Sequence, residues 1–302
     1  MKIGLIDVDG HNFPNLPLMK LSAWHKQNGD FVEWYDPITA LCEGDYDKVY
    51  MSKVFTFTPD YDNMIYAKEI VRGGTGYYYP DGGLELSQEV EHIYPDYGMY
   101  GVTDTAYGFL TRGCPRGCDF CIVKDKEGRT SKKVADLSEF WRGQKNIVLL
   151  DPNMFACREW KDLSHQLIDS KAWIDFSQGC DIRIMTEEKA EAIKQMKIKQ
   201  IHFAWDNYND KEKIVPKFRE FKEITQWDKR KMSVYVLTNF NTTIDQDLER
   251  IYTLKELGYW PYVMVYERDK LPRKHIIRKL QRWVNMRAVF ESVSSFDDYL
   301  AK

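Results

Sequence analysis

Three of the chain's six cysteines fall within eight residues, in the stretch Thr111-Arg-Gly-Cys-Pro-Arg-Gly-Cys-Asp-Phe-Cys-Ile-Val123, which sets Cys114, Cys118 and Cys121 in the pattern C-x3-C-x2-C. Thiolates are soft ligands, suited to zinc and to iron–sulfur clusters. Structural zinc takes four ligands, whereas the nearest histidines in the chain are His92, upstream, and His165, well downstream. Three thiolates on one loop can bind three irons of a 4Fe-4S cluster and leave the fourth iron without a protein ligand, open to a small molecule. Gly113, Pro115 and Gly117 let such a loop turn tightly, and Phe120, beside the last cysteine, would shield a cluster from water. The competing readings are a zinc site and cysteines that simply fill the core.

The elements around this loop have to present it at one end of a sheet. From Tyr107 onward the sequence alternates short apolar runs with amphipathic ones. The pattern predicts strands at 107–112, 146–150, 174–178, 200–205, 233–238 and 262–266, and helices at 136–142, 155–170, 187–196, 211–224, 244–257 and 273–286. Thr243 and Gln246 form a capping box, and Gly258 stands where a helix-ending glycine belongs. Six strand–helix units in succession imply a parallel barrel, a partial barrel or an open doubly wound sheet. In parallel barrels the working residues lie at the C-terminal ends of the strands. Those ends carry Asp151-Pro-Asn153, Gln178-Gly-Cys-Asp-Ile-Arg183, Asp206-Asn207, Thr238-Asn239 and Glu267. No residue is singled out as an acid, base or nucleophile.

The segment Arg112 to Cys121 resembles the cluster loop of radical S-adenosylmethionine (SAM) enzymes, whose motif is C-x3-C-x2-C with an aromatic residue before the last cysteine. The resemblance covers residues 107 to about 287 and implies a (β/α)6 partial TIM-type barrel. It also implies a 4Fe-4S cluster on Cys114, Cys118 and Cys121, SAM on the open iron, and reductive cleavage to a 5′-deoxyadenosyl radical that abstracts hydrogen from a substrate. By position, Asp151, Gln178, Arg183 and Asp206 match polar positions that contact SAM, and Phe120 and Asn239 join them as cofactor-binding candidates. The glycine–glycine–glutamate triplet of many members is absent. Such enzymes draw their electron from a donor such as flavodoxin or ferredoxin. Cys157 and Cys180 read as small buried hydrophobes.

The first 76 residues read as a Rossmann-like α/β domain: a buried strand at 2–8, a helix at 16–27, a strand at 31–35 and another at 48–54. Asp9-Gly10-His11 to Pro14, at a strand-to-helix turn, resembles the D-x-H-x-x-G turn of cobalamin-binding domains, with Ser52 and Gly73-Gly74 in the places of later motifs. Pro14 replaces the last glycine, which favours a degenerate domain over one that binds cobalamin. Gly73 to Gly76 lacks the lysine of a phosphate loop and reads as a turn. Residues 77–106 are expected to be a linker, 107–287 the partial barrel, and 288–302 a C-terminal tail.

Composition bounds the rest. The chain has 302 residues, 43% of them hydrophobic, enough for one large core or a large and a small one. Without an apolar run of membrane-spanning length or a signal peptide, and with scattered Cys42, Cys157 and Cys180 rather than a disulfide framework, it reads as a cytoplasmic protein with no membrane partner. The net charge of −3 conceals an asymmetry: residues 1–110 hold 7 Lys and Arg against 17 Asp and Glu, leaving 36 against 29 for the remainder. The basic stretch from Arg268 to Arg287 suits either a solvated outer helix or an RNA backbone, and a protein or peptide substrate is as compatible. Three functions outside this reading fit the sequence: a cobalamin-dependent radical SAM methyltransferase, a non-catalytic iron–sulfur electron-transfer or sensing protein, and a zinc-stabilised RNA-binding module.

Overall fold

Beginning at Lys2, an apolar run forms the strand β1 (Lys2–Asp7), and the helix Leu16–Gln27 follows, started by Asn15, whose side chain accepts from the Leu18 amide. The computed structural model describes residues 1–301 and divides into two units, Met1–Gln166 and Leu167–Lys302. Both units are mixed α/β, built on parallel strands.

In the first unit β1 is flanked by β2 (Phe31–Trp34) and β3 (Tyr46–Ser52), and β4 (Ala67–Gly73) pairs with β3, giving a four-stranded parallel sheet in the order β2-β1-β3-β4. Ile3 and Leu5 pack with Leu18 and Val32, while Ile6 packs with Tyr35, Tyr46, Val49 and Met51. The sequence reading misses β4 and the helix Pro37–Glu43. Lys68, Glu69 and Arg72 cover the apolar alternation of β4, as charges commonly do on a sheet edge.

Further along the same unit, β5 (Thr105–Gly108) pairs in parallel with β8 (Asn146–Leu149), and between them β6 (Thr111–Arg112) pairs antiparallel with β7 (Lys132–Lys133). The strand expected at 107–112 is therefore two pieces, interrupted at Phe109-Leu110. The helix expected at 136–142 is a single 3-10 turn, Leu137–Glu139, closed by a reciprocal cap between Asp136 and Glu139. Residues 77–106 hold the short helices Gln88–Glu91 and Tyr97–Tyr100.

In the second unit β9 (Trp173–Phe176), β10 (Lys197–Ala204), β11 (Met232–Thr238) and β12 (Trp260–Val265) form a parallel sheet in sequence order, each strand after β9 preceded by a helix. The capping box at Thr243 and Gln246 is present. Residues 287–301 include the helices Arg287–Ser292 and Phe296–Leu300, and Phe290, Val293 and Phe296 are buried with Trp283. Among the described residues no helix is long and apolar enough to cross a membrane.

A fully buried cation joins the strand ends. Arg250 donates to the carbonyls of Trp205 (2.6 Å), Asp206 (3.1 Å) and Leu237 (2.8 Å) and to the carboxylate of Asp247 (2.5 Å), itself fully buried. Arg250→Met would leave Asp247 without its cation and three carbonyls without a donor. It is expected to lower stability by ~3–5 kcal/mol, read from urea unfolding.

Candidate metal centre

Where β5 ends at Gly108, the amides of Leu110 and Thr111 leave the parallel ladder and need new acceptors. Asp151, just beyond β8, supplies them. Its carboxylate accepts from Leu110 N at 3.1 Å, from Thr111 N at 2.5 Å and from Thr111 Oγ1 at 2.6 Å. It is 4% exposed, and burial, outweighing these hydrogen bonds, pushes its pKa up to about 6.

The cysteine loop then turns under a second carboxylate. Glu127 accepts from Gly113 N at 3.0 Å and from Arg112 at 3.2 Å, and the Arg112 guanidinium lies over the Phe109 ring, 3.9 Å from its centre. Gly113 has φ +86, and a Cβ there would stand 2.2 Å from the Thr130 carbonyl oxygen, so the close return of the chain requires glycine. Cys114 N donates to Gly128 O and Cys121 N to Cys118 O, which draws the ends of the loop together. All three thiols and Phe120 are half-buried, and among the described residues no cysteine forms a disulfide.

Asn153 adds a further polar contact to the loop. It is 2% exposed, its Nδ2 donates to Cys114 Sγ at 3.6 Å, and its buried Oδ1 has no partner. An amide donor beside a sulfur stabilises the thiolate form that a metal needs. Among the described residues no three His, Cys, Asp or Glu side chains converge tightly enough to chelate one ion. The irons of a cluster are separate atoms, so its thiolates need not share one. With three soft donors, a glycine-built turn and an amide on the first sulfur, the loop fits a polynuclear iron–sulfur group.

Gln178, Arg183, Asp206 and Asn239 lie in the second unit. Gln178 is exposed, in the turn after β9. Arg183 is held by Asp181 at 2.7 Å and by Asp210 at 3.1 Å, and Asp181 accepts from the Arg183 amide as well. Burial raises Asp206 to about 6 against the pull of Arg250 and Arg183. Asn239 takes φ +62 and donates to the Tyr266 carbonyl at 2.9 Å. Cys180 is buried, its amide donating to His202 O at 2.7 Å, and Cys157, also buried, donates to Glu159 at 3.0 Å. Sequence reasoning missed Glu127 and the contact made by Asn153. Glu127 sits in a charged run, Lys124 to Arg129, that reads as solvated surface, whereas Asn153 was visible in the turn after the second strand.

No family model matches the chain. A stretch is 27% identical over 132 residues to a CDK5RAP1-like protein of Oryza sativa subsp. japonica, covering 40% of this chain and 22% of the length of that curated relative. Among solved structures the chain is similar to TsrM from Kitasatospora setae, a radical S-adenosylmethionine methyltransferase with cobalamin and a 4Fe-4S cluster bound. The TM-score is 0.58 at 10% identity, covering 87% of this chain and 74% of that one. The likeness shows a shared mixed α/β fold.

Asp151→Ala leaves two buried amides without acceptors and is expected to cost ~1–3 kcal/mol for each. The Asn variant reports the ionisation. Because the folded value, about 6, lies above the ordinary 3.8, this carboxyl's contribution to stability is complete below 3.8 and lost as pH rises through about 6. The stability deficit of Asp151→Asn relative to wild type is therefore expected to be larger at pH 4 than at pH 7 in urea titrations.

Proposed function

We propose that the chain is a radical SAM enzyme in which Cys114, Cys118 and Cys121 would hold a 4Fe-4S cluster. The observation that carries this reading is the C-x3-C-x2-C loop itself, anchored by Asp151 and Glu127 with Asn153 on its first sulfur. The fold shared with a radical SAM methyltransferase supports it. When bound, such a cluster would supply one electron to SAM, whose C5′–S bond would break to give methionine and a 5′-deoxyadenosyl radical able to abstract hydrogen from the substrate.

The chain's own residues position and shield. Asp151 fixes the strand end from which the loop hangs, Glu127 closes its turn, and Asn153 donates a hydrogen bond to the Cys114 sulfur. Phe120 excludes water from the cysteines. Gln178, Arg183, Asp206 and Asn239 are the proposed SAM contacts: Arg183 would meet the carboxylate, and the others would meet the amino and hydroxyl groups. Residues 1–76 are read as a Rossmann-like domain, supported by the all-parallel order β2-β1-β3-β4. Residues 77–106 are read as a connecting segment, 107–287 as a (β/α)6 partial barrel, supported by the strand–helix alternation through β12, and 288–302 as a C-terminal extension. The substrate is an RNA, a protein or peptide, or a smaller molecule, and the reductant a flavodoxin or ferredoxin in the cytoplasm.

Cobalamin-dependent methyl transfer is the second reading, favoured by the cobalamin in the structurally similar methyltransferase. The residues that would serve a corrinoid here are engaged by the chain itself. His11 stacks on Trp34 with ring centres 4.1 Å apart, and Ser52 accepts from Asn15 at 2.8 Å. A Cβ on Gly74 would stand 2.3 Å from the Lys53 carbonyl oxygen, so the chain itself packs against that turn. Pro14, in place of the last glycine of the motif, weighs against a corrinoid held through His11, and no step is assigned to one.

Anaerobic reconstitution of the wild type is expected to give about four irons per chain and, after reduction, 5′-deoxyadenosine from SAM. Cys114→Ala is expected to give neither a stable cluster nor product. A wild type that takes up no iron under these conditions contradicts the reading.

A further inference from the structure

The sheet of the second unit has two unlike faces. On β9 and β10, Ile174, Phe176, Ile198, Ile201 and Phe203 are all buried. Ile198 and Ile201 are three residues apart, a spacing that would normally put them on opposite faces. The register slips between Ile198 and Gln200, leaving Lys199 as the extra residue, and this bulge returns Ile201 to the core side. By the same shift Gln200 comes opposite Asp175, and His202 and Ala204 follow on that face. Ala204 pairs with Tyr235, and Tyr235 with Tyr262.

The result is a polar and aromatic row across four strands. The rings of His202 and Tyr235 are stacked, with centres 5.1 Å apart and planes 3° from parallel, and Tyr262 meets Tyr235 edge-on at 5.8 Å. Trp173 and Met264 flank the row on β9 and β12, and with Tyr262 they are 41–46% exposed. Large side chains in a regular row across a sheet, open to solvent, mark a surface that another molecule covers. Asp175 identifies the chemistry. Its Oδ1 is buried and has no hydrogen-bond partner, although Lys199 and His202 lie close enough to act on it electrostatically. With Oδ1 closed to solvent, a donor brought from outside meets the half-buried carboxylate at its other oxygen, and a cationic donor offsets the cost of desolvation most strongly. His202 is fixed through Nδ1 to Ser233 Oγ at 2.9 Å, and burial holds its pKa below the ordinary value, so it adds no positive charge to oppose a cation. The two tyrosine rings offer π faces, which attract ammonium groups.

We propose that this face binds a protonated amine carried on an apolar or aromatic frame, the ammonium donating to Asp175 and the frame lying against Tyr235 and Tyr262. The inference deepens the function proposed above by naming the chemistry of the substrate, and it rests on that reading only in calling the occupant a substrate.

The test uses the reconstituted protein and two probes of similar size and opposite charge, benzylammonium and phenylacetate, followed by ligand-observed NMR titration at neutral pH. Benzylammonium is expected to bind and phenylacetate not. Asp175→Asn is expected to weaken benzylammonium about tenfold or more, the loss of one charge-assisted hydrogen bond. Tyr262→Ala, at an exposed position that the fold tolerates, is expected to weaken it severalfold and decides the matter should Asp175→Asn fail to fold. Equal binding of the two probes overturns the proposal, as does wild-type affinity in Asp175→Asn or, failing that variant, in Tyr262→Ala. Neither probe involves the cysteines, so 5′-deoxyadenosine formation and amine binding fail or succeed separately.

Discussion

Three sulfurs can serve one inorganic group only if the chain that carries them is held still, and here that chain is a loop with little ladder of its own. Its polypeptide leaves the parallel sheet at Gly108, where two amides lose their acceptors, and is returned to order by side chains rather than by strands. Asp151 takes the amides of Leu110 and Thr111, and Glu127 takes that of Gly113 together with the Arg112 guanidinium. Buried carboxylates in these positions do what backbone carbonyls do in a strand, with stronger, charge-assisted hydrogen bonds. The raised pKa of Asp151 measures the desolvation that this arrangement entails.

The second unit solves the mirror problem with the opposite charge. At the ends of β10 and β11 it is carbonyls that lack donors, and the buried Arg250 guanidinium collects three of them. The turns that carry Asp206 and Asn239 follow directly from these tied strands. Arg183, gripped by Asp181 and Asp210, presents a fixed cation rather than a mobile one. Groups placed in advance lose little freedom when a ligand arrives, which suits them to orient one. On the sheet face that carries Asp175, one carboxylate oxygen is buried without a hydrogen-bond partner beside a row of aromatic rings.

The thiol loop could be read directly from the sequence because its chemistry is local: cysteine spacing and flanking glycines lie in consecutive residues. The strand–helix alternation of the second unit was legible for the same reason, since helices such as 211–225 and 244–256 keep their apolar stripe within one element. What the sequence hid is long-range. Nothing near Asp151 announces that its carboxylate reaches back to Thr111, and Arg250 reads as one more exposed helical charge until Trp205 and Leu237 are brought beside it. Strand β4 was obscured by Lys68, Glu69 and Arg72, and the bulge at Lys199 disguised which residues of β10 share a face. Periodicity reports burial only while the register is regular.

Electron paramagnetic resonance of the reduced, reconstituted protein, recorded with and without SAM, tests the central claim most directly. If three thiolates leave one iron open, SAM binds that iron, and the signal of the reduced cluster changes its g values when SAM is added. A reduced cluster whose spectrum is unchanged at saturating SAM contradicts the account.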